Sequence, residues 1–169
     1  MKRIVLILLM LVNLFSLNAQ ENELFKDREY PQWFSDAKLG IFIHYGLYSV
    51  PSYSDKEQYA EWFYKGLISN DSLRINFQKE VFGENFEYRD YKDLFKAELF
   101  DAAEWADLFA KSGAKYILFT SKHHDGYCMW DSEYAKGWSS ATTTPNRDFC
   151  AELADEVRKR GVRFGLYYS

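Results

Sequence analysis

Two stretches decide the fold: FDAAEWADLFAKSGAKYILFTSKHH (residues 100–124) and NRDFCAELADEVRKRGVRFGLYYS (residues 146–169). In the first, Ala102, Trp105, Leu108, Phe109 and Ser112 recur at helical spacing. Asp101 and Glu104 have the spacing of a capping box, and Phe100 and Trp105 that of a hydrophobic staple. Gly113 is placed to stop the helix in a left-handed cap, and Tyr116–Thr120 is a short apolar run suited to a buried strand. The second stretch repeats this grammar. Phe149, Leu153 and Val157 lie four apart with Cys150 and Ala154 on the same face, Gly161 follows, and VRFGLYYS is the next strand. Helix, glycine stop and strand, twice over, is the βαβ pattern of a parallel α/β sheet.

Working outward, LGIFIHYG (residues 39–46) reads as an earlier strand. Between it and Phe100 runs an aromatic-rich segment, read as a loop with helical pieces over Glu57–Leu67 and Tyr88–Phe95. At the amino terminus, Lys2 and Arg3 precede a wholly apolar run, Ile4–Val12, and a small residue, Ala19. That is the layout of a secretory signal peptide over residues 1–19. The polar Asn13, Ser16 and Asn18 interrupt it well short of the roughly 20 apolar residues a membrane-spanning helix needs. Export to the periplasm or the extracellular space is therefore expected, with no membrane insertion after cleavage.

Composition narrows the function. The chain has 169 residues, 47% hydrophobic and 19% aromatic, which excludes intrinsic disorder. Its formal net charge of −4 becomes −6 without residues 1–19, and no basic run offers a nucleic acid or an anionic membrane a surface. No G-x-G-x-x-G, P-loop or G-x-S-x-G pattern is present, so nucleotide cofactors and that type of serine nucleophile find no support. Cys128 and Cys150 either pair or stay as buried thiols.

In parallel α/β sheets ligands sit at the carboxyl ends of the strands. All three histidines fall there: His44 closing the first strand, His123 and His124 after the second, with Tyr167 and Tyr168 ending the third. Adjacent strand residues point to opposite faces, so ideal geometry turns only one of His123 and His124 inward. His44 taken alone also fits a structural role, and Glu61-Trp62 also fits one turn of an amphipathic helix. A metal site built from His44, His123, His124 and Asp125 is conceivable, but no His-x-His or His-x₃-His spacing supports it, and no metal is expected.

WFSDAKLGIFIHYGLYSVPSYSDKEQYAEWF (33–63), FDAAEWADLFAKSGAKYILFTSKHHDGYCMWDS (100–132) and the 146–169 stretch closely resemble the amino-terminal part of α-L-fucosidases of glycoside hydrolase family 29. GIFIHYG, the Glu-Trp pair, KHHDGY and FGLYYS occur in that family's order. The resemblance implies a (β/α)₈ TIM-barrel-like domain of a retaining exo-glycosidase, of which residues 20–169 would be the front portion, about three strands. An open sheet of that kind is expected to be unstable or aggregation-prone alone.

By the same resemblance the substrate is a fucosylated oligosaccharide or glycoconjugate, and no cofactor is implied. His44 is similar to a histidine that binds fucose hydroxyls, and Phe42 to an aromatic near the fucose methyl. Glu61 and Trp62 match a pair that closes over the sugar, and His123 and His124 a double histidine that grips ring hydroxyls. Tyr167 matches a strand-end tyrosine better than Tyr168 does. The nucleophilic Asp and the acid/base are expected beyond Ser169, and Asp125 is read as structural. Two departures are Tyr45, where many members have Trp, and ATTTPNRD (141–148) in place of a Gly-Pro loop. Outside this reading stand a non-catalytic sugar-binding module, an inactive fragment and a metal-dependent barrel hydrolase.

Overall fold

The computed structural model describes residues 29–169. The expected targeting segment, residues 1–19, lies outside them. The described residues divide after Asp36 into two units. The described part of the first leads into a short helix, α1 (Gln32–Ala37), where Gln32 Nε2 donates to Asp36 Oδ1 at 2.9 Å.

The second unit is α/β. Strand β1 (Gly40–Ile43) is followed by a 3₁₀ turn (Leu47–Ser49), a second 3₁₀ turn (Ala60–Trp62), helix α2 (Phe63–Ile68) and helix α3 (Ser72–Phe82). A third 3₁₀ turn (Tyr88–Asp90) and α4 (Tyr91–Leu94) lead to α5 (Ala102–Lys111), β2 (Tyr116–Lys122), α6 (Phe149–Lys159) and β3 (Arg163–Tyr168). The sheet order is β1-β2-β3, parallel throughout.

Both long helices start and stop as their sequences direct. Asp101 accepts from Glu104 N at 2.9 Å and Asp148 from Ala151 N at 2.8 Å, each satisfying an orphan amide of the first turn. The Phe100–Trp105 staple forms, with ring centroids 4.7 Å apart. Gly113 (φ 86°) and Gly161 (φ 71°) adopt the left-handed conformation that follows a helix end. On α6 the cap closes through backbone alone, Val162 N donating to Val157 O at 3.3 Å. On α5 the Ser112 hydroxyl relays the bond, donating to Phe109 O at 2.6 Å and accepting from Ala114 N at 3.3 Å.

One sheet face carries Ile41, Ile43, Ile117, Phe119 and Phe164, packed with α5 and α6. Helix α6 buries all five residues of its expected stripe, Phe149, Cys150, Leu153, Ala154 and Val157. On α5 the buried residues are Ala102, Ala106 and Phe109. Leu108, expected on that stripe, is instead 64% exposed; at one residue from Phe109 it sits about 100° around the helix. Tyr45 joins this core, its ring 5.3 Å from Phe95 and 5.5 Å from Trp105, so the Trp-to-Tyr departure lies on the helix side of the sheet. Both thiols are free and buried, and burial pushes Cys150 up to about 12.

The segment between β1 and α5 is more helical than its sequence suggests. Helix α3, read as loop, has a clear start signal in Asp71, whose carboxylate accepts from Leu73 N at 3.0 Å. It lacks an apolar stripe and buries an arginine, Arg74, so periodicity could not find it. Its Phe77 stacks on Tyr53 at 4.0 Å and, with Phe63, Phe82, Phe86 and Tyr91, extends the aromatic part of the same core. The 3₁₀ turn begins at Ala60, three residues later than the expected helix start at Glu57.

Candidate functional site at the strand ends

Phe42 and His44 alternate onto the sheet face opposite the helices, and Tyr167 of β3 shares that face. The Phe42 ring lies 4.6 Å from His44 and 4.9 Å from Tyr167, and His44 is 5.7 Å from Tyr167. His44 then meets His123 edge-on at 5.3 Å. Tyr168 points away: its ring packs 6.2 Å from Trp130, under the Lys122 ammonium at 4.3 Å. Simple strand alternation had separated these two tyrosines correctly.

It does not account for the double histidine. Thr120 pairs with Tyr167 but Lys122 with Tyr168, so Ser121 is an extra residue in β2. This bulge resets the alternation. Lys122 goes outward over Tyr168, and His123 turns inward where unbroken alternation would place it on the helix side. Ser121 is held by two bonds, its Oγ to Tyr167 O at 2.8 Å and its carbonyl from Met129 N at 2.8 Å. His124 begins the loop, and its ring lies 4.7 Å from His123 and 4.3 Å from Trp62. Ser169 Oγ is 3.2 Å from His124 Nε2.

The 3₁₀ turn Ala60–Trp62 brings the remaining pair. Trp62 is 5.8 Å from His123, and the neighbouring Glu61 backbone favours the protonated form of the His123 ring. The half-buried Glu61 carboxylate acts electrostatically on Tyr48, whose ring is 5.6 Å from His123. Six of the seven sequence-predicted residues, Phe42, His44, Trp62, His123, His124 and Tyr167, thus meet ring to ring in one rim, and Glu61 sits next to Trp62 in the adjoining turn.

His123 is 3% exposed, and its Nδ1 has no hydrogen-bond partner among the described residues. Burial, then the neighbouring His124, His44 and Lys122, lower its pKa to about 4, against the Glu61 backbone. It is a neutral imidazole near pH 7, able to donate at one nitrogen and accept at the other. Asp125 does not face the rim with it. Its carboxylate accepts from Tyr88 OH at 2.7 Å and Tyr127 N at 3.1 Å, and its carbonyl from Trp138 Nε1 at 3.0 Å. Burial raises its pKa, and these bonds restrain the rise. Asp125, read from the sequence as structural, and Tyr48, which no motif signalled, underpin the rim. Among the described residues no group of three or more His, Cys, Asp or Glu is placed to hold a metal ion, and no helix is long and apolar enough to cross a membrane.

Comparison with known proteins gives a consistent match. The profile of the family described as Alpha-L-fucosidase matches residues 15–169. The chain is 44% identical to the alpha-L-fucosidase of Dictyostelium discoideum over 145 residues, 84% of this chain and 31% of that protein. It is 44% identical to the plasma alpha-L-fucosidase of Homo sapiens over 144 residues, 84% and 30% respectively. Among solved structures it is similar to Thermotoga maritima alpha-fucosidase in complex with a mechanism-based inhibitor, with TM-score 0.80 and 45% identity, covering 86% of this chain and 36% of that one. A GH29 alpha-L-fucosidase from Bacteroides thetaiotaomicron aligns with TM-score 0.66 and 32% identity, covering 83% and 30%. The chain spans about 30% of the length of the curated relatives it matches.

Proposed function

Because this chain belongs to the alpha-L-fucosidase family, we propose that its strand-end rim is the fucose-binding wall of an exo-acting, retaining α-L-fucosidase. The observation that carries the reading is the buried, neutral His123 with an unpartnered Nδ1 among His44, His124, Trp62 and Tyr167. L-Fucose is a 6-deoxy sugar with several hydroxyls and one methyl. Imidazole and phenol both donate and accept, which suits hydroxyls that do the same. Phe42, half exposed on the inner face beside His44, offers the apolar wall for the methyl. The Trp62 indole over His124 offers a lid edge, and Glu61 an anionic acceptor.

Retention requires two carboxyl groups about 5–5.5 Å apart. In this reading both come from parts of the protein outside this chain, on a (β/α)₈ barrel of which β1–β3 are a segment. Contacts from His44, His123 and Tyr167 then tighten as the sugar flattens toward an oxocarbenium-like state. Export, directed by residues 1–19, places the enzyme where glycoconjugates are. The full protein should release the aryl alcohol from an aryl α-L-fucoside. His123→Ala should lower kcat/KM by about 10–100-fold, the worth of one buried hydrogen-bonding group. No turnover of any α-L-fucoside by the full protein would overturn the assignment.

A further inference from the structure

Arg74 is 3% exposed, an unusual burial for a guanidinium on a helix without an apolar stripe. One end of the group pairs with Asp71, the residue that caps α3. The other, Nη2, donates to Tyr59 O at 3.5 Å. That carbonyl also accepts from Trp62 N at 3.1 Å and so closes the turn carrying Glu61 and Trp62. The side chain reaches it by passing under α2 at Gly66. A Cβ there would lie 2.2 Å from Arg74 Cδ and 2.8 Å from Nε, so the path is open only to glycine.

We infer that Arg74 is a positioning residue that clamps the Glu61–Trp62 turn at the sugar-binding rim. The inference rests on the reading of that turn as part of the fucose pocket. Desolvating a guanidinium is costly unless it is paired and hydrogen-bonded, and capping of α3 requires only the Asp71 carboxylate. Nε finds no partner among the described residues, and what the cation adds is a long, 3.5 Å donation from Nη2 to the carbonyl that also holds Trp62 N, beside His124. Asp71 anchors the guanidinium in α3 and Gly66 gives it passage, so the turn is tied to a helix in addition to its own backbone bonds, Trp62 N to Tyr59 O and Phe63 N to Ala60 O.

The test uses the full protein with L-fucose binding, amide exchange at Trp62 and thermal unfolding as readouts. Arg74→Met, similar in length but without donors, should weaken L-fucose binding about tenfold, the worth of one hydrogen bond, and speed Trp62 amide exchange by a similar factor. Arg74→Lys should recover part of the affinity. Asp71→Ser, which keeps a cap and leaves the Tyr59 contact, should lower Tm yet change affinity less than Arg74→Met does. Unchanged affinity and unchanged Trp62 exchange in Arg74→Met, at any Tm, would overturn the proposal. If Arg74→Met does not fold, Gly66→Ala displaces the guanidinium without removing it, and normal affinity there would overturn it equally. If the unmutated protein does not bind L-fucose, the fucose reading falls, while Trp62 exchange still decides the clamp.

Discussion

The α5–β2 and α6–β3 units share one grammar, an Asp cap, a glycine stop and an apolar strand, yet they end up in different surroundings. Strand β2 is central, with Ile117 and Phe119 fully buried. Strand β3 leaves Leu166 and Tyr168 more than half exposed. The helices differ in the opposite sense: α6 buries its whole stripe, whereas α5 leaves Leu108 outside. The strand ends differ most. β3 keeps its alternation, so Tyr167 and Tyr168 part company, while the bulge at Ser121 turns β2 through a half-step and brings His123 inward. A repeated local pattern sets the kind of element, and its neighbours set which side chains are buried.

The sharpest way to break this contrast is a pair of leucine truncations, one on each helix. Leu153→Ala on α6 removes a fully buried side chain and should cost about 2–5 kcal/mol. Leu108→Ala on α5 should cost less than about 1 kcal/mol, since most of that side chain already meets water. Denaturant midpoints of the two variants in the full protein give the comparison directly. Equal costs would mean that the outer face of α5 is covered in the working molecule.

The strand ends offer the next test. Tyr167→Ala should weaken L-fucose binding by about 10–100-fold, whereas Tyr168→Ala, on the opposite face beside Trp130, should leave it within about twofold. Equal losses measured by calorimetric titration would show that β3 does not keep its alternation in the bound state.

The smallest net effect is pH-dependent. His123 titrates near 6.5 when unfolded and near 4 when folded, so the unfolded chain takes up its proton first as the pH falls. Stability from this group is full above pH 6.5 and lost progressively down to pH 4. Asp125 opposes it, because burial raises its folded pKa and favours the protonated, folded form as the pH falls. His123→Gln should therefore flatten the decline between pH 6.5 and 4, read from unfolding free energies across that window. An unchanged slope would mean that His123 is more hydrated than its burial implies.

Much of the site was legible in the chain because it depends on position within simple elements. Three histidines at strand ends, a tyrosine on the side of β3 shared with Gly165 and a Glu-Trp pair in one short turn all follow from counting along strands and from family motifs. The inward turn of His123 was not legible. A one-residue bulge leaves no period in the sequence, and it is stabilised by Ser121 bonding to Tyr167 and Met129, one 46 residues away in the chain. Helix α3 escaped for a related reason: its anchoring contact is a buried cation under a glycine on another helix, not an apolar stripe.

By itself, then, the sequence determined which segments are helix and strand in the second half, where those elements stop, and that polar rings gather at the strand ends. These are local consequences of side-chain periodicity, caps and backbone freedom, settled within a few residues. Only the tertiary structure decided that both His123 and His124 join the rim, that Leu108 faces outward, that the two thiols stay free, and that Arg74 reaches the Tyr59 carbonyl. Each of those depends on register and burial between segments far apart in the chain, where the free energy of packing is shared among partners that no local pattern names.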